Sequence, residues 1–163
     1  MKEMYEYDGE KYVKNGGELY HIIPTTDGWM RVEGDPVANH GHAFYSYIKL
    51  ENMDAIYDVN VLVEYDTGFE GFPTKWNLVE LSMRTPDSFG LTYAYGHVPG
   101  WTVEDQCVCH KYVKITDFTR AWMEVTDVRT DEMRTADISL QDVLTKINGA
   151  ESLVPLLHKY FGL

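Results

Sequence analysis

The sequence predicts an α+β fold, in which a curved, mostly antiparallel β-sheet or partial β-barrel is followed by two short C-terminal helices. Alternating runs of β-branched and aromatic residues, separated by Gly, Pro, Asn and Asp turns, recur over residues 1–130. Two short apolar stripes at helical spacing follow them. With 163 residues the chain has the size of one domain. We therefore predict a single domain, β-rich over 1–130 and helical in the C-terminal segment 131–163.

The clearest strand covers residues 55–65. Its odd-numbered positions from 57 to 65 carry Tyr or Val, so an extended chain presents them as one apolar face. Asp58, Asn60, Leu62 and Glu64 alternate with them and are expected to point toward water or a polar cavity. We predict that this is the central strand of the sheet.

Further β elements are predicted on both sides of the central strand from turn residues and alternation. In chain order they are a hairpin over 4–13 around Asp8-Gly9, a turn at Asn15-Gly16-Gly17, strands over 18–23, 29–33 and 43–50, a loop over 34–42, a loop over 67–74 carrying Phe69 and Phe72, and strands over 76–83, 91–98, 106–116 and 118–128. In the last of these, residues 121–124 are also compatible with a helix.

The two helices are predicted at the C-terminus from capping signals. Ser139 opens the first helix in a pattern that resembles a capping box, and Asn148-Gly149 ends it. Ser152 precedes the second helix, and Gly162 stops it. Both helices are too short to be stable alone, so they must dock on the sheet.

The composition is acidic, with 26 Asp and Glu against 14 Lys and Arg and a net charge of −12. Nucleic-acid binding depends on basic side chains that neutralise phosphates, so we do not expect this chain to bind nucleic acid directly. Plain solubility, a basic partner and imitation of a polyanion all remain compatible with the charge.

The two cysteines, Cys107 and Cys109, lie too close in sequence for a favourable disulfide, and a reducing compartment fits them. The N-terminal residues resemble no signal peptide, and no apolar run is long enough to span a membrane. We expect a cytoplasmic protein that does not enter a membrane. The sequence does not predict an oligomeric state.

Possible metal ligands occur as His40-Gly-His42 and as Cys107-Val-Cys109-His110. On a strand, His110 would point away from the two cysteines, and the spacing differs from the Cys-x-x-Cys of zinc knuckles. His40 and His42 are the remaining metal candidates. We expect no bound metal.

Polar and aromatic side chains alternate on several predicted strands and suggest a small-molecule pocket. Its candidate residues are Glu64, Glu80, Tyr93, Tyr95, His97 and His110. Paired carboxylates and histidines among aromatic rings are typical of acid/base or ligand-binding sites. The same alternation also produces a solvated sheet face, and periodicity does not distinguish the two.

Signatures of other chemistry are missing from the sequence. It contains no Gly-x-Ser-x-Gly elbow, no Walker-type phosphate loop and no Gly-x-Gly-x-x-Gly fingerprint. We therefore expect no cofactor and favour a protein that is not an enzyme.

Carboxylates lie close in sequence to Tyr and Trp residues near both ends of the β-rich part. The N-terminal group is Glu3, Glu6, Asp8 and Glu10, and the later group is Asp117, Glu124, Asp127, Asp131, Glu132 and Asp137. Tyr and Trp dominate protein hot spots, and carboxylates complement a basic partner. Solvation of loops and strand edges is the competing explanation.

We therefore predict a non-enzymatic, acidic cytoplasmic protein that masks a basic surface on a macromolecular partner, and we expect that partner to be another protein. Inhibitors, immunity proteins and anti-defence proteins have this size and charge, which is an analogy of composition alone. The alternative is a β-barrel-like small-molecule binder or acid/base enzyme that uses the Glu, His and Tyr candidates above.

Overall fold

The computed structural model describes residues 3–26, 28–33, 44–78, 84–85, 88–147 and 153–163. The described strands and helices are β1 Glu10–Asn15, β2 Glu18–Thr25, β3 Gly28–Glu33, β4 Phe44–Ile48, β5 Ala55–Glu64, β6 Lys75–Asn77, β7 Arg84–Thr85, β8 Ser88–Tyr93, β9 Thr102–Asp105, β10 Val108–Lys114, β11 Arg120–Asp127, β12 Glu132–Ile138, α1 Leu140–Ile147 and α2 Val154–Phe161.

The strands form two open sheets. The first has the order β12-β11-β5-β1-β2-β3-β4, with β6 also paired to β5, and the second has the order β7-β8-β10-β9. The described registers within both sheets are antiparallel. The predicted fold class, an α+β fold with a mostly antiparallel sheet and two short C-terminal helices, is confirmed.

Strand β5 is the predicted central strand, and its burial explains why its sequence is so apolar. It lies between β11 and β1, and Val59, Val61 and Val63 are fully buried. The expectation that the alternate face meets water or a polar cavity is wrong for Asp58 and Leu62, which are 3% and 4% exposed. Both faces of this central strand are covered, so its polar side chains need internal partners.

The predicted hairpin over residues 4–13 is also wrong. Met4–Glu6 forms a single 3-10 turn, and β1 begins only at Glu10. Glycine is needed at position 9 for close packing and not for a hairpin turn. A Cβ at this position would lie 2.4 Å from the main-chain oxygen of Val59. Glycine here lets the two backbones approach closely.

Two further differences concern the end of the β-rich part. Residues 121–124 belong to β11, where Ala121, Trp122 and Met123 are buried, so the helical alternative is wrong. Strand β12 occupies the start of the segment 131–163, whose helices begin at Leu140.

The chain divides into two compact units. The first comprises residues 1–60, 124–136 and 149–163, and the second comprises 61–123 and 137–148. In the first unit, a buried core is formed by Tyr7, Val13, Ile22, Met53, Ile56 and Val128. In the same unit, α2 contacts β2 and ends at Phe161, immediately before Gly162, the predicted stop, whose φ of 66° places it in the left-handed region.

The second unit contains the sheet β7-β8-β10-β9. Phe89, Leu91 and Val113 are buried on this sheet, and α1 contacts the 3-10 turn Ile115–Asp117. No helix among the described residues is both long enough and apolar enough to cross a bilayer.

Candidate functional site

The pocket candidates predicted from the sequence that fall within described residues lie in the second unit. Glu64 ends β5 opposite Lys75 of β6, and its exposed carboxylate accepts a hydrogen bond from Thr119 Oγ1 at 2.7 Å. Strand β5 therefore pairs with β6 at this position. Glu80, the other carboxylate among the pocket candidates, lies outside the described residues.

Tyr93 and Tyr95 are brought together, with ring centroids 5.9 Å apart. Tyr93 also contacts Phe72 at 5.3 Å and Trp76 at 6.4 Å, so its ring is part of an aromatic cluster. Tyr95 is 87% exposed at the edge of that cluster. The two tyrosines thus form an aromatic surface.

The two histidine candidates contact strand β9. His97 Nε2 lies 2.9 Å from the main-chain oxygen of Asp105, and His110 Nδ1 lies 2.7 Å from Glu104 Oε1. Among the described candidates, Tyr93 and Tyr95 contact each other. Glu64, His97 and His110 instead contact residues outside the candidate set.

The metal candidates give no site within the described part of the chain. His40 and His42 lie outside it, and the described residues contain no group of three or more His, Cys, Asp or Glu side chains arranged to hold a metal ion. Cys107 is exposed and Cys109 is buried, and both are free thiols.

A second site, in the first unit, was not predicted from the sequence. It is a half-open cavity of about 350 Å³, which we call the N-terminal groove. Its lining residues are Met4, Tyr5, Tyr7, Gly9, Glu10, Lys11, His21, Ile22, Ile23, Pro24 and Trp29. The volume lies at the lower end of the ~300–1,000 Å³ typical of ligand sites.

The walls of the N-terminal groove come from two parts of the chain. One wall is the segment 4–11, which crosses close to β5 at Gly9. The other is formed by β2 and by Trp29 of β3, which is paired with Pro24. Met4 and Trp29 pack against the buried core of the unit, so the apolar surface of the groove continues into that core.

The charged group of Lys11 lies below the groove and is fully engaged. Its ammonium donates to Asp58 Oδ1 at 2.6 Å, to the main-chain oxygen of Tyr7 at 2.7 Å and to that of Gly9 at 2.7 Å. An ammonium has three N–H donors, and these three acceptors use all of them. Lys11 is only 6% exposed and therefore offers little positive charge to a ligand.

Asp58 completes this buried network. Its Oδ2 accepts a hydrogen bond from the Asn60 amide at 3.2 Å. Desolvation raises the pKa of Asp58 above its usual value, although the hydrogen bond and charge of Lys11 act in the opposite direction. The carboxylate of Asp8 adds to the upward shift, so negative charges lie close together here.

The hydroxyl groups of Tyr7 and Tyr12 each form a hydrogen bond with a carboxylate, and Tyr7 and Glu10 both line the groove. The Tyr7 hydroxyl donates to Asp131 Oδ1 at 2.8 Å, and this bond, together with burial and nearby carboxylates, raises the pKa of Tyr7 to about 12. The Tyr12 hydroxyl donates to Glu10 Oε2 at 3.0 Å and accepts from the Leu153 N–H at 2.7 Å. Glu10 is thereby held at the groove.

Exposed carboxylates adjoin the groove-lining residues of this wall in sequence. Glu3, Glu6 and Asp8 are exposed next to residues 4, 5, 7 and 9, which line the groove, and we call these three carboxylates the acidic rim. The Glu6 carboxylate accepts the Glu3 N–H, which fixes the 3-10 turn. Tyr5, between them in sequence, is 84% exposed. The site therefore combines an apolar interior, exposed carboxylates and an accessible aromatic ring.

Comparison of the chain with protein-family models, curated proteins and solved structures gave no match.

Proposed function

We propose that the protein is a non-enzymatic binding protein that masks a basic surface of a macromolecular partner. The observation that carries this proposal is the N-terminal groove, an apolar cavity whose lining residues are flanked in sequence by exposed carboxylates and whose lysine among the described lining residues, Lys11, is sequestered by Asp58. We infer that the partner is a protein, and that the masking is of the inhibitor, immunity or anti-defence type.

The charge of the first unit supports a basic partner. Three of its cations bond to main-chain oxygens: Lys11 to those of Tyr7 and Gly9, Arg129 to those of Leu50 and Asp54, and Arg134 to that of Phe161. The acceptors of these arginine hydrogen bonds are main-chain oxygens and not carboxylates. Complementary charge accelerates encounter with a partner and favours the correct one.

The aromatic residues support a protein surface as the target. Tyr5 is exposed beside the acidic rim, and Trp29 lines the groove. Rigid aromatic side chains provide a large contact area at low entropic cost, which is why they are frequent at protein hot spots. A phosphate backbone, in contrast, would be repelled by the same carboxylates.

Capture with immobilised protein at low ionic strength tests this proposal. Three baits are compared: the wild type, a rim variant with Glu3→Gln, Glu6→Gln and Asp8→Asn, and a control with Glu51→Gln, Glu70→Gln and Asp105→Asn. All six carboxylates are exposed, and both variants change the net charge equally.

We expect a stoichiometric basic protein on the wild type and on the control, released by salt and lost from the rim variant. Equal retention by all three baits, or a retained species that salt does not release, contradicts the proposal. Retention of a neutral small molecule by the wild type would instead support the alternative function of a small-molecule binder, because such binding is insensitive to ionic strength.

A further inference from the structure

We infer that the N-terminal groove recognises a short basic segment of the partner by burying one aliphatic side chain of that segment, with flanking Lys or Arg side chains against the acidic rim. This inference rests on the proposed function and names the part of the partner that is bound. The occupant follows from three properties of the groove: its size, the chemistry of its walls and the charge at its edge.

The size favours one anchor side chain. A cavity of about 350 Å³ is small for a ligand site. An amphipathic helix in a groove presents a row of anchors at i, i+3 or i+4, and i+7, which needs a longer apolar channel. A large aliphatic side chain, together with the adjoining main chain of an extended segment, fits within this volume.

The walls select an apolar side chain and disfavour an anion. Ile22, Ile23 and Trp29 provide apolar surface. The cation at the groove, Lys11, has all three donors occupied by Asp58 and two main-chain oxygens, so an incoming carboxylate or phosphate would find no free ammonium donor there. Glu10 would repel such a ligand as well.

The edge selects basic neighbours of that anchor. Glu3, Glu6 and Asp8 are exposed, so their interactions with Lys or Arg are screened by salt and individually weak. Most of the affinity should therefore come from the buried anchor, while the carboxylates guide the segment and set the salt dependence. The two contributions are separable by experiment.

The test uses synthetic peptides as probes. The first has the sequence Gly-Lys-Arg-Gly-Leu-Gly-Arg-Lys-Gly, the second replaces Leu with Ala, and the third replaces every Lys and Arg with Glu. Binding to the full-length protein is measured by titration calorimetry, and the site is located from amide chemical shifts. We expect the Leu peptide to bind about ten- to hundredfold more tightly than the Ala peptide, the factor that corresponds to burial of one Leu side chain. The amide chemical shifts that change when the Leu peptide binds should belong to residues 3–11 and 21–29 of the protein. The acidic peptide should not bind.

Two variants separate the anchor from the charges. Ile23→Phe narrows the groove and should reduce the preference for Leu over Ala while salt-dependent binding of both basic peptides remains. Val103→Phe, at a 55% exposed position of β9, is the matched control and should keep the preference. If Ile23→Phe melts early, Tyr5→Ala replaces it, because Tyr5 is 84% exposed, and it should weaken binding of the Leu peptide.

Equal affinities for the Leu and Ala peptides, shifts outside the groove, or no binding of either basic peptide would overturn this inference. The proposed function is judged separately by the capture experiment. A salt-released basic protein that depends on the acidic rim leaves the proposed function standing even where the peptides fail. If the capture experiment and the peptide titrations both fail, both proposals are wrong.

Discussion

Lys11 Nζ lies 2.6 Å from Asp58 Oδ1, and the two residues are register partners across β1 and β5. The side chains of this pair are 7% and 4% exposed. A buried ion pair thus joins the wall of the N-terminal groove to the central strand. It also neutralises Lys11, the one Lys or Arg among the described residues that line the groove, so it affects both the fold and the site.

Replacement of one partner of this pair should destabilise the protein strongly. In Lys11→Met, the Asp58 carboxylate stays buried without its cation, and two main-chain oxygens lose their donor. We expect a loss of about 3–5 kcal/mol in the free energy of unfolding, measured by urea denaturation.

The double variant Lys11→Met with Asp58→Leu distinguishes the cost of an unpaired charge from the value of the pair. Well-packed apolar residues often replace a buried ion pair without loss. We expect the double variant to regain most of the stability that Lys11→Met loses. A double variant as unstable as the single one would indicate that packing, and not the unpaired charge, explains the loss.

The hydrogen bond between Tyr7 and Asp131 predicts a pH dependence of stability. The pKa of Tyr7 is raised from 10.0 to about 12, so the folded protein keeps this proton where the unfolded chain has released it. Its contribution to stability is complete below pH 10.0 and is lost progressively as the pH rises to about 12.

Urea denaturation of the wild type and Tyr7→Phe across this pH interval measures the effect. The stability of the wild type relative to the variant should fall with increasing pH. Tyr47→Phe, at a 65% exposed ring, is the control. A difference between the wild type and Tyr7→Phe that stays constant would show that Asp131 does not hold the Tyr7 proton.

Gly9 should tolerate no side chain. A Cβ there would lie 2.4 Å from the Val59 oxygen and 2.9 Å from Asp58 Oδ1, so β1 and β5 would have to separate. We expect Gly9→Ala to lower the free energy of unfolding by about 1–3 kcal/mol, the range typical of overpacking. Thermal denaturation compares it with Asp8→Ala at the exposed neighbouring position, and equal stabilities would rule out this close approach.

The sheet and the helices were predictable because their signals are local. Alternation over residues 55–65 identified β5, and Gly162 identified the end of α2. The groove was not predictable in this way. Asp8-Gly9 has the composition of a hairpin turn, whereas the role of Gly9 depends on Val59, which is far away in sequence.

The burial of Asp58 illustrates the same limit. A carboxylate at an alternating strand position usually indicates a solvated face, and only the pairing of β1 with β5 places Lys11 opposite it. The acidic character of Glu3, Glu6 and Asp8 was visible in the sequence. The apolar cavity lined by the residues next to them in sequence follows from long-range packing, which alternation and capping patterns do not encode.

The central claim is that the acidic rim and the N-terminal groove bind a basic segment together. The most direct measurement is the affinity of the Leu-containing basic peptide for the wild type, the rim variant and its charge-matched control at about 0.01 M and 0.1 M salt, where the Debye length falls from ~30 to ~10 Å. We predict that the rim variant binds about threefold or more weakly than the control at low salt, and that this difference shrinks at high salt. Equal affinities of the rim variant and the control at both salt concentrations would contradict the claim.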